Sequence, residues 1–380
     1  MSILHRCWAE VDLDALRENL AWIRDRVGPA VKVLTVVKAD AYGHGLKQIA
    51  ALLMQSGTDI FGVANLDEAR AIRSVGEGWP ILMLGACLPG EVADAVRDDV
   101  MPTISTFEEA ESFSRVGMRQ RRLVRVHLAV DTGMGRLGVA SDRAAELAEQ
   151  IRSLPGVQLE GLFTHFAAAE DDAVFTRTQA ERFHAAVAAI SAHGSQVPLI
   201  HACNSGALLH ERDVLFNVVR PGLLVYGVVP PGTRRSPLAL AQRLRPALAW
   251  KTCVSLVKTV PPGVTLSYGR TFTTPKTLRV ATLTAGYGDG YSRAGSNRAQ
   301  VLVGGRRCPV LGRVTMDQTL VDVSGVPEAR AGDEAVLIGR QGKEAITASE
   351  LAGWFGTIPW EVFTGISHRV PRIYRGGTAS

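Results

Sequence analysis

The sequence predicts an α/β protein: a (β/α)8 TIM-type barrel over residues 10–236, then a mostly antiparallel β domain over residues 237–380 that also takes in residues 1–9. Three observations predict it. Eight short apolar runs alternate with helical patterns along the first part of the chain. The alternation breaks at Pro230–Pro237, Pro-Pro-Gly-Thr-Arg-Arg-Ser-Pro, which reads as a linker. Beyond it the texture changes to short alternating runs separated by turn residues.

In order, Cys7–Glu10 reads as a short strand, and Asp12 or Asp14 caps a helix that runs to about Val27. The next run, Leu34-Thr35-Val36-Val37, is β-branched and apolar, so it reads as a buried parallel strand. It ends in Lys38, and the glycine-punctuated stretch Ala39–Gly45 reads as a loop before a helix from Leu46. Further strands read at Ile60–Ala64, Ile81–Leu84, Pro102–Ser105, Val124–Val130, Leu159–Thr164, Leu199–Ala202 and Val218–Pro221. Helices read between them, among others Asp67–Val75, Phe107–Val116, Arg143–Ser153 and Arg177–His193. With the Lys38 strand the count closes at eight, the number of a closed parallel barrel. In the second domain, strands read at Trp250–Val260, Leu278–Leu283, Gln300–Val303, Leu320–Val323 and Ala335–Ile338, and only Ala348–Phe355 reads as a helix.

Composition excludes several function classes. A net charge of +5 over 380 residues, with no long Lys/Arg block, argues against nucleic acid as a partner. No apolar run approaches the roughly 20 residues of a membrane span. The five cysteines are odd in number and widely spaced, without a CxxC, which argues against a disulfide framework or a metal site. The start, Met-Ser-Ile-Leu-His-Arg, shows no signal-peptide pattern, and the expected location is the cytoplasm.

Chemistry in such barrels gathers where strands run into the following loops. Those positions hold Lys38 and Tyr42, Arg136, His165, Asn204 and Ser205, then Arg220, Gly222 and Leu223. A lysine at the end of a buried strand is poorly solvated, so its ammonium pKa falls and it becomes a Schiff-base nucleophile; from this stretch alone, a lysine snorkelling to the rim reads equally well. Only seven lysines exist, and only Lys38 ends an apolar strand opening onto a glycine loop. Ser205-Gly206 and Gly222-Leu223 suit a dianion, and barrel phosphate sites favour these two loops. A lysine across from a phosphate cradle suggests pyridoxal phosphate.

At this point the chain resembles the bacterial alanine racemases, of the barrel class of pyridoxal-phosphate enzymes. The matching segments are Val37–Gly45, Asp131–Gly138, Gly161–Phe166, Asn204-Ser205, Arg220-Pro221-Gly222, Ser267-Tyr268-Gly269, Gly286–Gly290 and Met316-Asp317-Gln318. They occur in the expected order across both domains. The resemblance implies that Lys38 holds pyridoxal phosphate covalently and is the base on one face of the substrate Cα. It implies that Tyr268, lent across a homodimer, is the base on the other face. His165 is expected against Tyr268, and Arg220 against His165 and the pyridine nitrogen. Tyr42, Asn204, Ser205, Gly222, Leu223 and Trp360 are expected around the cofactor; Arg136, Met316, Tyr287 and Asp317 around the substrate. The implied product is D-alanine for cell-wall synthesis.

Two positions depart from the family pattern. Ala129 stands where the family usually has a lysine or an asparagine that steadies Arg136, so Arg136 is expected to be differently anchored. Trp360 stands where the family usually has tyrosine, which leaves serine or another small amino acid as an alternative substrate. A decarboxylase of the same barrel class is the next rival, but its glycine-triplet phosphate loop and late Cys-Glu-Ser motif are absent. A non-catalytic carrier of the cofactor lacks the β domain that bears Tyr268. His44, His127, His201, His368 and the cysteines read as ordinary core or surface residues.

Overall fold

A computed structural model describes residues 5–194, 196–211, 214–232 and 242–377. It divides into two compact units: a barrel unit of residues 16–41 and 45–245, and a β unit of residues 1–15, 42–44 and 246–380. Of the expected linker, residues 233–237 lie outside the described residues.

The barrel unit is an eight-stranded closed parallel sheet. Its strands are β2 (Lys32–Val36), β3 (Ile60–Val63), β4 (Ile81–Ala86), β5 (Met101–Ile104), β6 (Val124–Asp131), β8 (Val157–Phe163), β9 (Leu199–His201) and β10 (Val218–Val219), after β1 (Cys7–Asp12). Each pairs in parallel with the next, and β10 returns to β2 through Val218 opposite Lys32. A two-residue β7 (Val139–Ala140) adds to the mouth end of β6. The strands are short and apolar because helices cover them outside and side chains fill them inside.

Helices α1 (Leu13–Val27), α3 (Leu46–Met54), α4 (Leu66–Arg73), α5 (Val92–Arg97), α6 (Phe107–Gln120), α7 (Ala144–Ser153), α8 (Ala173–Ala192) and α9 (Ser205–His210) fall near the expected positions. Asp12 is the residue that caps α1, accepting the Ala15 N–H at 2.9 Å. Thr106 and Glu109 form a capping box on α6.

One expectation is corrected. The stretch after Lys38 is not an open loop but a helical turn, α2 (Lys38–Gly43), and it is left-handed. Ala39, Asp40, Ala41 and Tyr42 have φ of 53°, 54°, 53° and 53°, and Gly43 has 74°. Four successive L-residues there cost about 1–2 kcal/mol each, so composition alone cannot announce such a turn.

The β unit is built on β11 (Leu248–Val260), whose 13 residues pair antiparallel with β1, β14 (Leu278–Leu283) and β18 (Glu334–Gln341). The hairpin β12 (Thr265–Leu266) and β13 (Phe272–Thr273) projects between β11 and β14 in the chain. The sheet is extended by β15 (Gln300–Val303), β16 (Arg306–Pro309), β17 (Thr319–Asp322), β19 (Glu344–Ile346) and β20 (Arg372–Arg375). The last lies parallel to β1. Trp250 and Tyr291 fill its core. Besides the expected helix α10 (Ala348–Phe355) there is a second, α11 (Pro359–Gly365). Sequence reading missed it because it is two turns long and begins on a proline, a residue that both breaks helices and starts them.

Candidate active site

The barrel mouth brings together the side chains that strand ends predicted. Burial holds the Lys38 ammonium below its usual pKa; Arg136 pushes the same way, Glu68 opposes, and Arg220 adds to the lowering. A lowered pKa leaves more free amine, the nucleophilic form.

Arg220 is 4% exposed and has no carboxylate partner among the described residues. Its guanidinium is held by neutral acceptors instead. Nη1 donates to His201 Nδ1 at 2.8 Å, and Nη2 donates to the Thr164 carbonyl at 2.8 Å, to the Ala202 carbonyl at 3.2 Å and to His165 Nδ1 at 3.3 Å. It lies over the Phe163 ring, which stacks in turn on His201. Burial is the main reason its pKa falls to about 10. It stays cationic at neutral pH.

Because arginine only donates, these bonds fix the tautomers around it. His165 must accept at Nδ1, so its proton sits on Nε2. Burial first, then Arg220, Arg136 and Lys38, hold His165 at about 3, so the ring is neutral. His165 itself is anchored by Gln179, whose amide donates to the His165 carbonyl at 3.1 Å and to Thr132 at 3.1 Å.

His201 and His127, read from sequence as ordinary buried histidines, continue the chain. His201 accepts from Arg220 and therefore donates from Nε2 to His127 Nδ1, 2.9 Å away. His127 Nε2 is buried without a partner among the described residues. Gly161 makes room for this pair; a Cβ there would stand 2.1 Å from His127 Nδ1. No sequence signal separates these two histidines from any other core histidine.

The phosphate-cradle residues also converge. Ser205 Oγ accepts the Gly222 N–H at 3.0 Å and the Leu224 N–H at 3.5 Å, which leaves its own hydroxyl proton to donate. The backbone N–H groups of Ser205, Gly206 and Leu223 are buried and make no hydrogen bond among the described residues. Three unused buried donors and a hydroxyl fit a phosphate. Asn204 is spent on capping α9, accepting the Ala207 N–H at 2.9 Å. In the substrate loop, the Asp131 carboxylate accepts the N–H groups of Gly133 and Gly135 at 2.9 and 3.1 Å. Arg136, which follows, is exposed and without a hydrogen-bond or ion-pair partner among the described residues.

In the β unit, Tyr268 stands 72% exposed on the β12–β13 hairpin, whose Leu266 belongs to a small core with Val260, Leu278, Val280 and Leu311. Met316 lies in a loop pinned by its carbonyl to the Gly288 N–H at 2.8 Å, while its own N–H is unused among the described residues. Tyr287 is half-exposed in the facing loop. Asp317 pairs with Arg369 at 2.9 Å, and Arg369 also reaches Asp289 at 3.2 Å. Tyr42 is buried, which pushes its phenol above the usual value, and Trp360 hydrogen-bonds to it. Trp360 has one polar atom, so its indole N–H donates to the Tyr42 oxygen.

A parallel barrel with an amine-bearing strand end, a buried arginine and an anion cradle defines a barrel-class enzyme built for a phosphorylated aldehyde cofactor. The comparisons agree. The family profiles "Alanine racemase, N-terminal domain" and "Alanine racemase, C-terminal domain" match residues 11–230 and 247–374. The chain is 45% identical over 374 residues to the alanine racemase of Symbiobacterium thermophilum, covering 98% of each chain. The crystal structure of alanine racemase from a D-cycloserine-producing Streptomyces lavendulae superposes with a TM-score of 0.92 at 35% identity, covering 99% of each chain. That of Bartonella henselae alanine racemase with covalently bound pyridoxal phosphate gives 0.88 at 25% identity, covering 98% of this chain and 100% of that one. The chain belongs to the alanine racemase family. These relatives do not favour the decarboxylase or carrier readings.

Proposed function

We propose that this chain interconverts L- and D-alanine with pyridoxal phosphate, using Lys38 and Tyr268 of the partner subunit as opposed bases. The observation that carries the reading is the convergence of Lys38, Arg136, His165 and Arg220 at one barrel mouth beside unused phosphate donors. When bound, the cofactor withdraws electrons from the substrate and makes its Cα–H acidic.

Lys38 holds the cofactor through its amine and moves the proton on one face. The Ser205 hydroxyl, the amides of Ser205, Gly206 and Leu223, and the buried Tyr42 hold the phosphate, with the Gly222 N–H orienting the Ser205 hydroxyl. Arg136 and the Met316 N–H hold the substrate carboxylate, and Tyr287 and Asp317 border the substrate. Arg220 faces the ring nitrogen. It does not readily give up a proton, so the nitrogen stays unprotonated and side reactions such as transamination are limited.

Inversion needs a second base on the opposite face. Tyrosine ionises near pH ~10 in water, so cations and donors must stabilise its phenolate. His165 presents an Nε2–H, fixed by Arg220 behind it, and Arg136 adds positive charge. Tyr268 is exposed rather than packed within its own chain, which supports a homodimer that shares its sites. Five unpaired cysteines support a reducing, cytoplasmic setting; among the described residues no helix is long and apolar enough to cross a membrane.

The test is direct. Purified protein incubated with L-alanine and, separately, L-serine is assayed by chiral chromatography. The expected result is racemic alanine, with the cofactor trapped on Lys38 by borohydride; no inversion and no trapped peptide overturn the reading.

A further inference from the structure

The left-handed turn after Lys38 needs something to hold it, and Glu68 is placed to do so. It lies in the first turn of α4, where its own N–H is capped by Asn65 Oδ1 at 2.9 Å. Its carboxylate reaches back and spans two loops. Oε1 accepts the Ala39 N–H at 2.6 Å, and Oε2 accepts the Ala64 N–H at 2.7 Å. Strands β2 and β3 are neighbours, with Val36 opposite Gly62, so the residues that leave them emerge side by side. One carboxylate thus ties the turn that follows Lys38 to the loop that follows β3. At the far end of the turn a second carboxylate does similar work: Asp40 Oδ1 accepts the Leu46 N–H at 2.7 Å.

Such a turn persists only where its surroundings over-determine it. Charge-assisted bonds to backbone N–H groups are the strong kind available at a barrel rim. Ala39 is the first left-handed residue and the direct neighbour of Lys38, so whatever fixes the Ala39 amide fixes where the lysine side chain leaves the backbone.

We infer that Glu68 is a positioning residue for Lys38: by bridging the amides of Ala39 and Ala64 it holds the left-handed turn and sets the approach of the lysine amine to the cofactor. The inference rests on the reading of Lys38 as the cofactor-holding lysine. Glu68 also acts on Lys38 as an anion, opposing Arg136 and Arg220.

Two substitutions test it. Glu68→Gln keeps the shape but turns one acceptor into a donor that faces a backbone N–H, and it removes the charge. Glu68→Asp keeps the charge but is one methylene short of spanning both amides. Each variant is stripped of cofactor and reloaded with pyridoxal phosphate across pH, read by absorbance and by borohydride trapping on Lys38; kcat, KM and Tm are measured alongside. Both variants are expected to reload at least about tenfold more slowly than wild type. The pH midpoint of reloading is expected to fall by roughly half a unit or more in Glu68→Gln only, because an opposite charge near an ammonium raises its pKa. Reloading rates and midpoints within twofold and 0.2 units, roughly, of wild type in both variants overturn the inference, even if Tm falls. If Glu68→Gln does not fold, slow reloading by Glu68→Asp at unchanged midpoint still supports it, and normal reloading still overturns it. Failure of wild type itself to trap cofactor on Lys38 instead overturns the underlying reading.

Discussion

Arg220 Nη1 donates to His201 Nδ1 across 2.8 Å, and that single contact orders two histidine rings. It fixes His201 as the Nε2–H tautomer, which makes His127 accept at Nδ1 and carry its proton on an atom with no partner among the described residues. The buried cation is therefore held by a chain of neutral rings and not by an anion. A carboxylate there would neutralise the guanidinium charge.

Removing the acceptor tests that arrangement. His201→Leu leaves a buried charged donor unpaired and is expected to cost about 1–3 kcal/mol in urea unfolding. His201→Asn, whose Oδ1 stands in for Nδ1, is expected to recover much of that loss and most of kcat.

Stability should fall in acid through the same histidines. Burial holds His127 at about 3, against an ordinary value near 6.5. Between those values the unfolded chain binds a proton that the folded chain does not, so stability rises with pH and is lost as pH falls. His127→Asn keeps the acceptor and removes the titration. Its unfolding free energy is expected to have a pH slope smaller by up to about 1.4 kcal/mol per unit within that window. An unchanged slope rejects His127 as a buried neutral ring.

Arg136 lacks a partner among the described residues, and Ala129, buried on β6, offers it none. Ala129→Lys is expected to lower the KM for alanine severalfold with little change in kcat. Steady-state kinetics check this; an unaltered KM removes position 129 from carboxylate binding.

Trp360 acts through Tyr42 in this chain, as a donor to its phenol. Trp360→Phe deletes the donor, and the Kd for pyridoxal phosphate is expected to rise several-fold in equilibrium dialysis. Trp360→Tyr is expected to reorder a panel of alanine, serine and other small amino acids by kcat/KM. An identical ranking shows that the indole does not shape specificity.

The sequence alone determined the barrel, the β domain and the strand-end residues. Those depend on local pattern: apolar runs of period two or fully buried, helical spacing between them, and functional side chains where strands stop. Lys38, His165, Ser205 and Arg220 were legible because each sits at, or within a few residues of, the end of such a run. Tertiary structure decided what holds them. The hand of the turn after Lys38, the reach of Glu68 to Ala39 across 29 positions, and the His127–His201–Arg220 chain all join segments distant in sequence. No local pattern encodes such contacts, because they exist only once a closed sheet brings neighbouring strand ends side by side.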